Sequence, residues 1–322
     1  MRAVPLTLLG SGAALGAALC FATLGPLSQL AYDRGVEPFG FVFWRAAIGA
    51  AFLSLVVAGR ATRGATIPSL ARLPRSSGAM LLLATAMGLG VNMAMFSALA
   101  LLPVAVALLA FYTYPAMVAA AAMGTRREPV TGTRLSALGL ALAGMVLVLA
   151  GQLEPAGGVP LSPLGIALGL TAAAFQTVFV LIGRDGYPEV PPDLATVVIL
   201  AGAATGIVVA TLLTGGFVAI SGPVATPEVW LMLVIAGVIG AGIPSTLMLL
   251  AIRLIGGTRT GILMLFEPVA GTVLAAVVLA QVLAPIQVAG GALVLGAALL
   301  LQQAHEPALT GDDPSPADLV KP

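Results

Sequence analysis

Two ionisable side chains lie well inside otherwise apolar segments of the sequence, and their types suggest binding chemistry. Arg45 lies seven residues into a segment that begins at Pro38, and Glu267 lies near the middle of the segment 258–280. An arginine can bind an anionic group such as a carboxylate, and a glutamate can bind an ammonium group or a proton. Burying either charge is costly unless it is paired or lines a wet cavity. We therefore expect both residues to bind substrate in a central cavity.

The sequence leaves alternatives open for both residues. Arg45 can extend to the outer membrane interface, and Glu267 can cap backbone groups that Pro268 leaves without partners. The two residues can also pair with each other, because their predicted depths differ by only about 6 Å.

Prolines and tyrosines accompany these candidates. Tyr114-Pro115 and Glu267-Pro268 each place a proline inside an apolar segment, where it removes one helical hydrogen bond and frees a carbonyl group. We expect Pro115 and Pro268 to mark hinges or kinks. Tyr112 and Tyr114 would add hydroxyl groups and aromatic faces to a binding site, and ordinary packing around a kink is the alternative.

Four further side chains are candidates for substrate binding: Trp44, Asn92, Gln176 and Ser245. The three polar residues lie within apolar segments, where hydrogen bonding between helices is the alternative role. Trp44 precedes Arg45, and anchoring at the membrane interface is its alternative.

Membrane-spanning helices must position all of these residues. The chain has 322 residues, of which 59% are apolar and 8% are charged, against about 25% charged in soluble domains, and its mean hydropathy is +1.09. A lipid bilayer is therefore the expected surrounding. Apolar runs of about 20 residues each predict an all-α integral membrane protein with ten transmembrane helices. The predicted spans are 7–31, 38–59, 77–100, 103–123, 132–151, 163–183, 193–214, 228–253, 258–280 and 285–303.

The composition argues against several other classes of protein. A net charge of +1 without runs of basic residues gives no reason to expect a nucleic-acid partner. Cys20 is the only cysteine and His305 the only histidine, so we predict no catalytic residues, no metal site and no cofactor, and we do not expect an enzyme. No connection is long enough to hold a signalling domain, which argues against a sensor or scaffold.

The basic residues predict the orientation. If the N-terminus is cytoplasmic, twelve Arg and Lys residues lie on the cytoplasmic side, Arg34 lies outside, and Arg45 lies within a span. The positive-inside rule then places both termini in the cytoplasm. We expect a multi-pass protein of the bacterial cytoplasmic (inner) membrane.

The sequence aligns with itself, without a gap, when it is shifted by 153 residues. Gly49 falls on Gly202, Asn92 on Ser245, and Pro115 on Pro268. Each half contains five spans, an odd number, so the halves enter the membrane from opposite sides. Such inverted repeats are typical of secondary transporters with a site near the midplane between the halves. We predict two inverted five-helix repeats over residues 1–152 and 153–303, followed by a disordered cytoplasmic tail over 304–322.

These features resemble the EamA type of the drug/metabolite transporter superfamily. The resemblance covers about residues 8–303 and rests on Phe43-Trp44-Arg45-Ala46, on Ala98 through Pro115 into Thr125-Arg126-Arg127-Glu128, and on Leu265-Phe266-Glu267-Pro268. This chain has Gln281 where the family commonly has an acidic residue. The resemblance implies a ten-helix exporter of small metabolites or amino acids that works by alternating access without ATP. The sequence contains no G-x-x-x-x-G-K-[ST] motif, in agreement with that mechanism.

The expected function is therefore secondary transport of a small-molecule substrate, with export of amino acids or related compounds as the first interpretation. An importer, or a transporter of sugars or nucleotide-linked sugars, is the alternative. Protons are a candidate coupling ion through Glu267, and a monomer is sufficient because two fused halves can enclose one pathway.

Overall fold

The computed structural model of the protein describes residues 5–125, 131–151, 162–214, 218–222, 227–278, 280 and 282–303. Nine helices in these ranges are long and apolar enough to cross a membrane, and a tenth, Pro285–Gln303, includes the apolar stretch Pro285–Leu301. The prediction of an all-helical fold with ten spans is confirmed. In chain order, the spans are Leu6–Tyr32, Pro38–Thr62, Arg75–Leu99, Val104–Thr125, Gly132–Ala150, Pro163–Asp185, Pro192–Leu213, Pro227–Ile255, Gly257–Val278 and Pro285–Gln303, and they are called spans 1–10 below.

Large apolar side chains cover the outside of the helix bundle. Leu55, Leu82, Leu213, Leu231 and Val277 lie on five different spans, and each is between 68% and 83% exposed. An apolar surface of this kind is unfavourable in water and suits contact with lipid tails. The protein is therefore a multi-pass membrane protein.

Four of the spans are interrupted helices, and a proline follows each interruption within three residues. Span 1 breaks at Thr23 before Pro26, and the other prolines are Pro115, Pro244 and Pro268. A proline lacks the N–H that would continue the helical hydrogen-bond ladder. The helical pieces are Leu6–Ala22 and Leu24–Tyr32 in span 1, Val104–Phe111 and Tyr114–Thr125 in span 4, Trp230–Gly237, the π-helical turn Val238–Gly242 and Ile243–Ile255 in span 8, and Gly257–Met264 and Phe266–Val278 in span 9.

Three short helices lie at the ends of spans or between them. They are the 3₁₀ turn Leu70–Arg72, the helix Val218–Ser221 and the 3₁₀ turn Pro227–Val229.

The packing of the spans is symmetric between the two halves of the chain. The counterpart of each span is the one five positions away, so spans 1 and 8 correspond to spans 6 and 3. Span 1 packs on span 8, and span 6 packs on span 3 in the same way. Spans 2 and 7, spans 4 and 9, and spans 5 and 10 pack against their own counterparts. Counterparts cross the membrane in opposite directions, because they are five positions apart in the order of spans and five is an odd number. The fold therefore consists of two inverted five-helix repeats.

Spans 5 and 10 approach each other closely at two glycines. A Cβ atom added to Gly144 would lie 2.5 Å from the carbonyl oxygen of Gly290, and one added to Gly290 would lie 2.5 Å from the carbonyl oxygen of Gly144. Because both contacts are with backbone, neither position has room for a side chain.

Several predictions fall on residues outside the described ranges. These are the motif Arg126-Arg127-Glu128, the departure from the family pattern at Gln281, and the tail 304–322.

Candidate functional site

A cavity of about 850 Å³ lies between the two halves of the protein. All ten spans contribute to its lining, for example Phe21 from span 1 and Gln287 from span 10. Cavities that bind small ligands have volumes of roughly 300–1,000 Å³. The cavity is therefore large enough for a small metabolite.

The cavity opens towards one face of the membrane. Gln29 and Tyr32, near the end of span 1, and Val282, between spans 9 and 10, belong to its lining, and Val282 is 94% exposed. Odd-numbered spans end at this face, which we call the open face. We call the opposite face, at which even-numbered spans end, the closed face.

Most of the cavity wall is apolar, with a small number of polar groups. The large apolar residues include aromatic rings and thioethers from both halves of the chain. They are Phe21, Met95, Phe96, Leu108, Phe111, Phe179, Met248 and Met264. Polar groups on such a wall fix the orientation of a ligand, while the apolar area contributes binding energy.

Glu267 lies at the middle of span 9 and lines the cavity. It belongs to the first turn of the helix Phe266–Val278, where a carboxylate interacts favourably with the positive end of the helix dipole. The hydroxyl group of Tyr112 lies close enough to this carboxylate for the two groups to interact. The break in span 4 therefore lies beside the break in span 9.

Arg45 also lines the cavity and is held by a polar neighbour. Its Nη2 donates to Oδ1 of Asn92 at 2.8 Å, and Nδ2 of Asn92 donates to the carbonyl oxygen of Gly88 at 2.8 Å. Within the described part of the chain, Arg45 and Glu267 form no ion pair at 4 Å or less, although each charge acts on the other. Both groups can therefore interact with a ligand in the space between them.

Tyr114 is the repeat counterpart of Glu267, and the structure brings both residues to the cavity. Tyr114 begins the second helix of span 4, and its carbonyl oxygen lies 3.5 Å from Oγ1 of Thr177 on span 6, whose hydroxyl donates to the carbonyl oxygen of Ala173 at 2.8 Å. Both halves of the chain therefore contribute an interrupted helix and a polar side chain at matching positions. This is the arrangement that a shared midplane site requires.

The prolines that follow Tyr114 and Glu267 in the sequence differ in their surroundings. Pro268 lines the cavity, whereas Pro115 is buried against Gly261 of span 9. A Cβ atom on Gly261 would lie 3.3 Å from Cβ of Pro115. A helix break precedes each proline, one in each half of the chain.

Three further predicted residues line the cavity: Asn92, Gln176 and Ser245. Nε2 of Gln176 lies 4.0 Å from the sulfur of Met248, a long contact at the limit for a hydrogen bond to sulfur. Gln176 is therefore weakly held and available to a ligand.

Trp44 is the predicted site residue that the structure places away from the cavity lining. Its Nε1 donates to the carbonyl oxygen of Ile220 at 2.9 Å, and its ring meets Trp230 edge to face with centroids 4.7 Å apart. Trp44 and Trp230 both lie near the open face, where tryptophan commonly anchors a helix at the interface.

The sequence interpretation missed the polar end of span 1. Ser28, Gln29 and Tyr32 line the cavity mouth, and Tyr32 lies close enough to Arg45 for the two side chains to interact. The signal was present in the sequence, because Pro26 interrupts this span and the three polar residues follow at the spacing of one helix face.

The described residues contain no group of three or more His, Cys, Asp or Glu side chains that could hold a metal ion. The chemistry that the cavity offers is binding: one cationic group, one anionic group and several hydrogen-bonding groups on an apolar wall.

Comparison with known proteins supports this architecture. The sequence model of the EamA-like transporter family matches the chain twice, over residues 8–150 and 163–302. A protein of known crystal structure superposes with a TM-score of 0.75 at 22% sequence identity, covering 92% of this chain and 96% of its own. At that identity the likeness concerns the fold alone. No curated protein matches the sequence.

Proposed function

Because the chain belongs to the EamA-like transporter family, we propose that it is a secondary transporter that moves small metabolites by alternating access. Membership of the family makes the protein a membrane transporter of a small-molecule substrate. The single observation that supports the finer proposal is the cavity between the halves, in which Arg45 and Glu267 both line the wall. A site between inverted repeats can be exposed to each face in turn when one half moves against the other.

The proposed substrates are amino acids or related zwitterions. Arg45 is the group that would bind the substrate carboxylate, and Glu267 is the group that would bind the ammonium. A guanidinium offers a planar pair of donors to a carboxylate, which gives directional recognition. The apolar wall would accept the side chain of the substrate. A sugar would leave both charged groups without a charged partner, so sugars are the less favoured alternative.

Export is the proposed direction, across the bacterial cytoplasmic membrane with both termini inside. The distribution of arginines supports this orientation, because connections on the closed face carry most of them. The open face would then be the outer one. Import is the alternative direction.

Protons are the proposed coupling ion, with Glu267 as the binding group. A carboxylate at mid-membrane can carry a proton or a substrate cation, and such residues commonly mark proton relays. One chain is proposed to be sufficient for transport, since all ten spans of a single chain line one cavity.

The test is a metabolite profile of the medium from bacteria that overproduce the wild type or Glu267→Gln. We expect one class of zwitterion to accumulate with the wild type and not with the variant. If both profiles match the empty vector while the protein is present in the membrane, export of common metabolites is ruled out. Accumulation of the solute inside the cells would indicate import.

A further inference from the structure

The closed face carries two cross-links between spans that are missing at the repeat-related positions of the open face, among the described residues. Arg253, near the end of span 8, donates three hydrogen bonds to backbone carbonyls at the end of span 6 and beyond it. Its Nη1 bonds to Val190 at 2.7 Å, its Nη2 to Tyr187 at 3.3 Å, and its Nε to Gly183 at 3.4 Å. One side chain therefore ties span 8 to the connection between spans 6 and 7.

The ring of Tyr187 adds a further contact to this cross-link. The guanidinium carbon of Arg253 lies 5.2 Å from the ring centroid, within the range of a cation–π interaction. The last carbonyls of a helix carry partial negative charge and lack helical partners, so a guanidinium at the end of span 6 stabilises them.

An ion pair forms a second cross-link at the closed face. Arg60, at the end of span 2, pairs with Asp193, at the start of span 7. Asp193 is largely buried and Arg60 is partly exposed. Spans 2 and 7 are therefore joined at the same face as spans 6 and 8.

The repeat-related positions at the open face cannot form either cross-link. Ala100 is the counterpart of Arg253, and its side chain is too short to reach another span. The ion pair corresponds to Leu213 and Gly40, which cannot form one. The fold is symmetric, but the polar contacts at these related positions are not.

The carbonyl of Gly183 and its repeat counterpart illustrate the difference. The counterpart at the open face is the carbonyl of Leu30, which accepts a hydrogen bond of 2.9 Å from Nη1 of Arg34, four residues later and just beyond the end of the same span. Both carbonyls are capped by an arginine, but only Arg253 reaches from a different span.

A thin layer of side chains separates the cavity from the closed face. Thr196 lines the cavity and lies four residues after the start of span 7, which corresponds to about 6 Å of helix. A buried apolar cluster fills this end of the protein. Its members are Val57, Leu81, Ala84, Tyr187, Val190, Leu194, Ala195, Ile199 and Leu249.

The hydroxyl group of Tyr187 is buried in this layer and has no hydrogen-bond partner among the described residues. Burial raises the pKa of Tyr187 to about 12, although Arg253 opposes the shift, so the hydroxyl stays protonated at neutral pH. A buried donor without a partner disfavours the closed arrangement. The cross-links of Arg253 and of the Arg60–Asp193 pair thus stabilise the closed arrangement, whereas the hydroxyl group of Tyr187 destabilises it.

We propose that Arg253, together with the Arg60–Asp193 pair, is the gate of the closed face and biases the transporter towards the state in which the cavity meets the open face. This proposal rests on the alternating-access mechanism proposed above. Opening of the closed face requires spans 6 and 7 to move away from spans 2 and 8, which breaks both cross-links. Because Arg253 and its acceptors lie in the same half of the chain, this movement rearranges spans within the second half as well as between the halves. The asymmetry between Arg253 and Ala100 then sets the resting population of the two states.

The experiment measures the reactivity of single cysteines with N-ethylmaleimide, which crosses the bilayer and reacts with thiols that contact water. In a Cys20→Ala background, Ala195→Cys reports opening of the closed face, because Ala195 is fully buried in the apolar cluster. Ser28→Cys reports access to the cavity from the open face. Because the reagent reaches both sides, the result does not depend on orientation.

In Arg253→Ala we expect the reporter at position 195 to react several-fold faster and the reporter at position 28 to react more slowly. Arg34→Ala is the matched control and leaves both rates unchanged, because Arg34 joins no second span. Tyr187→Phe, which removes the hydroxyl without a partner, slows the reaction at position 195. Unchanged rates in Arg253→Ala, or faster reaction of both reporters together, would overturn the proposal.

Arg253→Lys covers the case in which Arg253→Ala does not reach the membrane. A lysine keeps the charge but cannot bond to three carbonyls at once, so we expect the same changes at a smaller size. A lysine variant that reacts at wild-type rates would refute the gate. The assay needs no substrate. If the reaction rates at positions 195 and 28 change as expected but the protein transports no solute, the proposed function is refuted and the proposed gate is not.

Discussion

The hydroxyl group of Tyr112 lies beside the carboxylate of Glu267, close enough for the two groups to interact, where the interrupted helices of spans 4 and 9 meet at the middle of the protein. One residue belongs to the first half of the chain and the other to the second. Any movement of one half against the other that separates spans 4 and 9 changes the environment of Glu267. The contact therefore couples the charge of the site to the arrangement of the halves.

Removal of this hydroxyl tests its role. We expect the hydroxyl of Tyr112 to bond to the charged groups of the occupied site. Such a bond contributes about 1.5–3 kcal/mol, so Tyr112→Phe should raise the half-saturation concentration for transport roughly ten-fold or more. Uptake into proteoliposomes at a series of substrate concentrations measures the change, with equal membrane levels as the control. Unchanged kinetics would show that the hydroxyl does not contribute to binding.

Tyr114→Phe tests the second tyrosine separately. Its hydroxyl belongs to a residue that lines the cavity, whereas its carbonyl contact with Thr177 is retained in the variant. We expect affinity to change more than expression does, measured as the half-saturation concentration against the amount of protein in the membrane. Transport equal to that of the wild type would favour a packing role.

Asn92 is expected to act through Arg45, whose guanidinium it orients. Asn92→Ala should therefore weaken competition by compounds that carry a carboxylate. Competition by the amine that lacks the carboxylate but is otherwise the same should be unchanged. Competition against a labelled amino acid in proteoliposomes measures both. Equal losses for the acid-bearing compound and the amine would contradict a positioning role and indicate a general effect on folding.

The contact between spans 5 and 10 makes a prediction about stability. Gly144→Ala places a Cβ atom against the backbone of Gly290, and such overpacking destabilises by about 1–3 kcal/mol. Gly139→Ala is the control on the same helix, because nothing lies within 4 Å of its Cβ position. Thermal unfolding in detergent should show a lower midpoint for Gly144→Ala alone, and equal midpoints would refute the close contact.

The ten spans could be predicted from the sequence because lipid requires long apolar helices, and the repeat of 153 residues correctly indicated two inverted halves. The interruption at Thr23 and the π-helical turn Val238–Gly242 were not predicted. A Cβ atom on Gly49 would lie 2.8 Å from the carbonyl oxygen of Gly237. Close contacts of this kind between spans 2 and 8 accompany the π-helical turn, and they are not visible in a single segment of sequence.

The types of residue that line the cavity could be predicted from the sequence, but the direction in which each side chain points could not always be. Trp44 and Arg45 are neighbours on one helix, where successive side chains point about 100° apart, so a cavity that receives Arg45 leaves Trp44 on a different face. Hydropathy does not determine which of the two faces inward. The contact of Trp44 with Trp230, which lies 186 positions later in the chain, depends on the tertiary fold.

The central claim is that one zwitterion binds between Arg45 and Glu267. The most direct measurement is competition in proteoliposomes that contain the wild type, using the exported amino acid, the amine that lacks its carboxylate and the acid that lacks its amino group. We predict that the amino acid competes at least ten-fold more strongly than either analogue, because each analogue leaves one buried charge without a partner. If the amine or the acid competes as strongly as the amino acid, the two charged residues do not bind the substrate together, and the account is wrong.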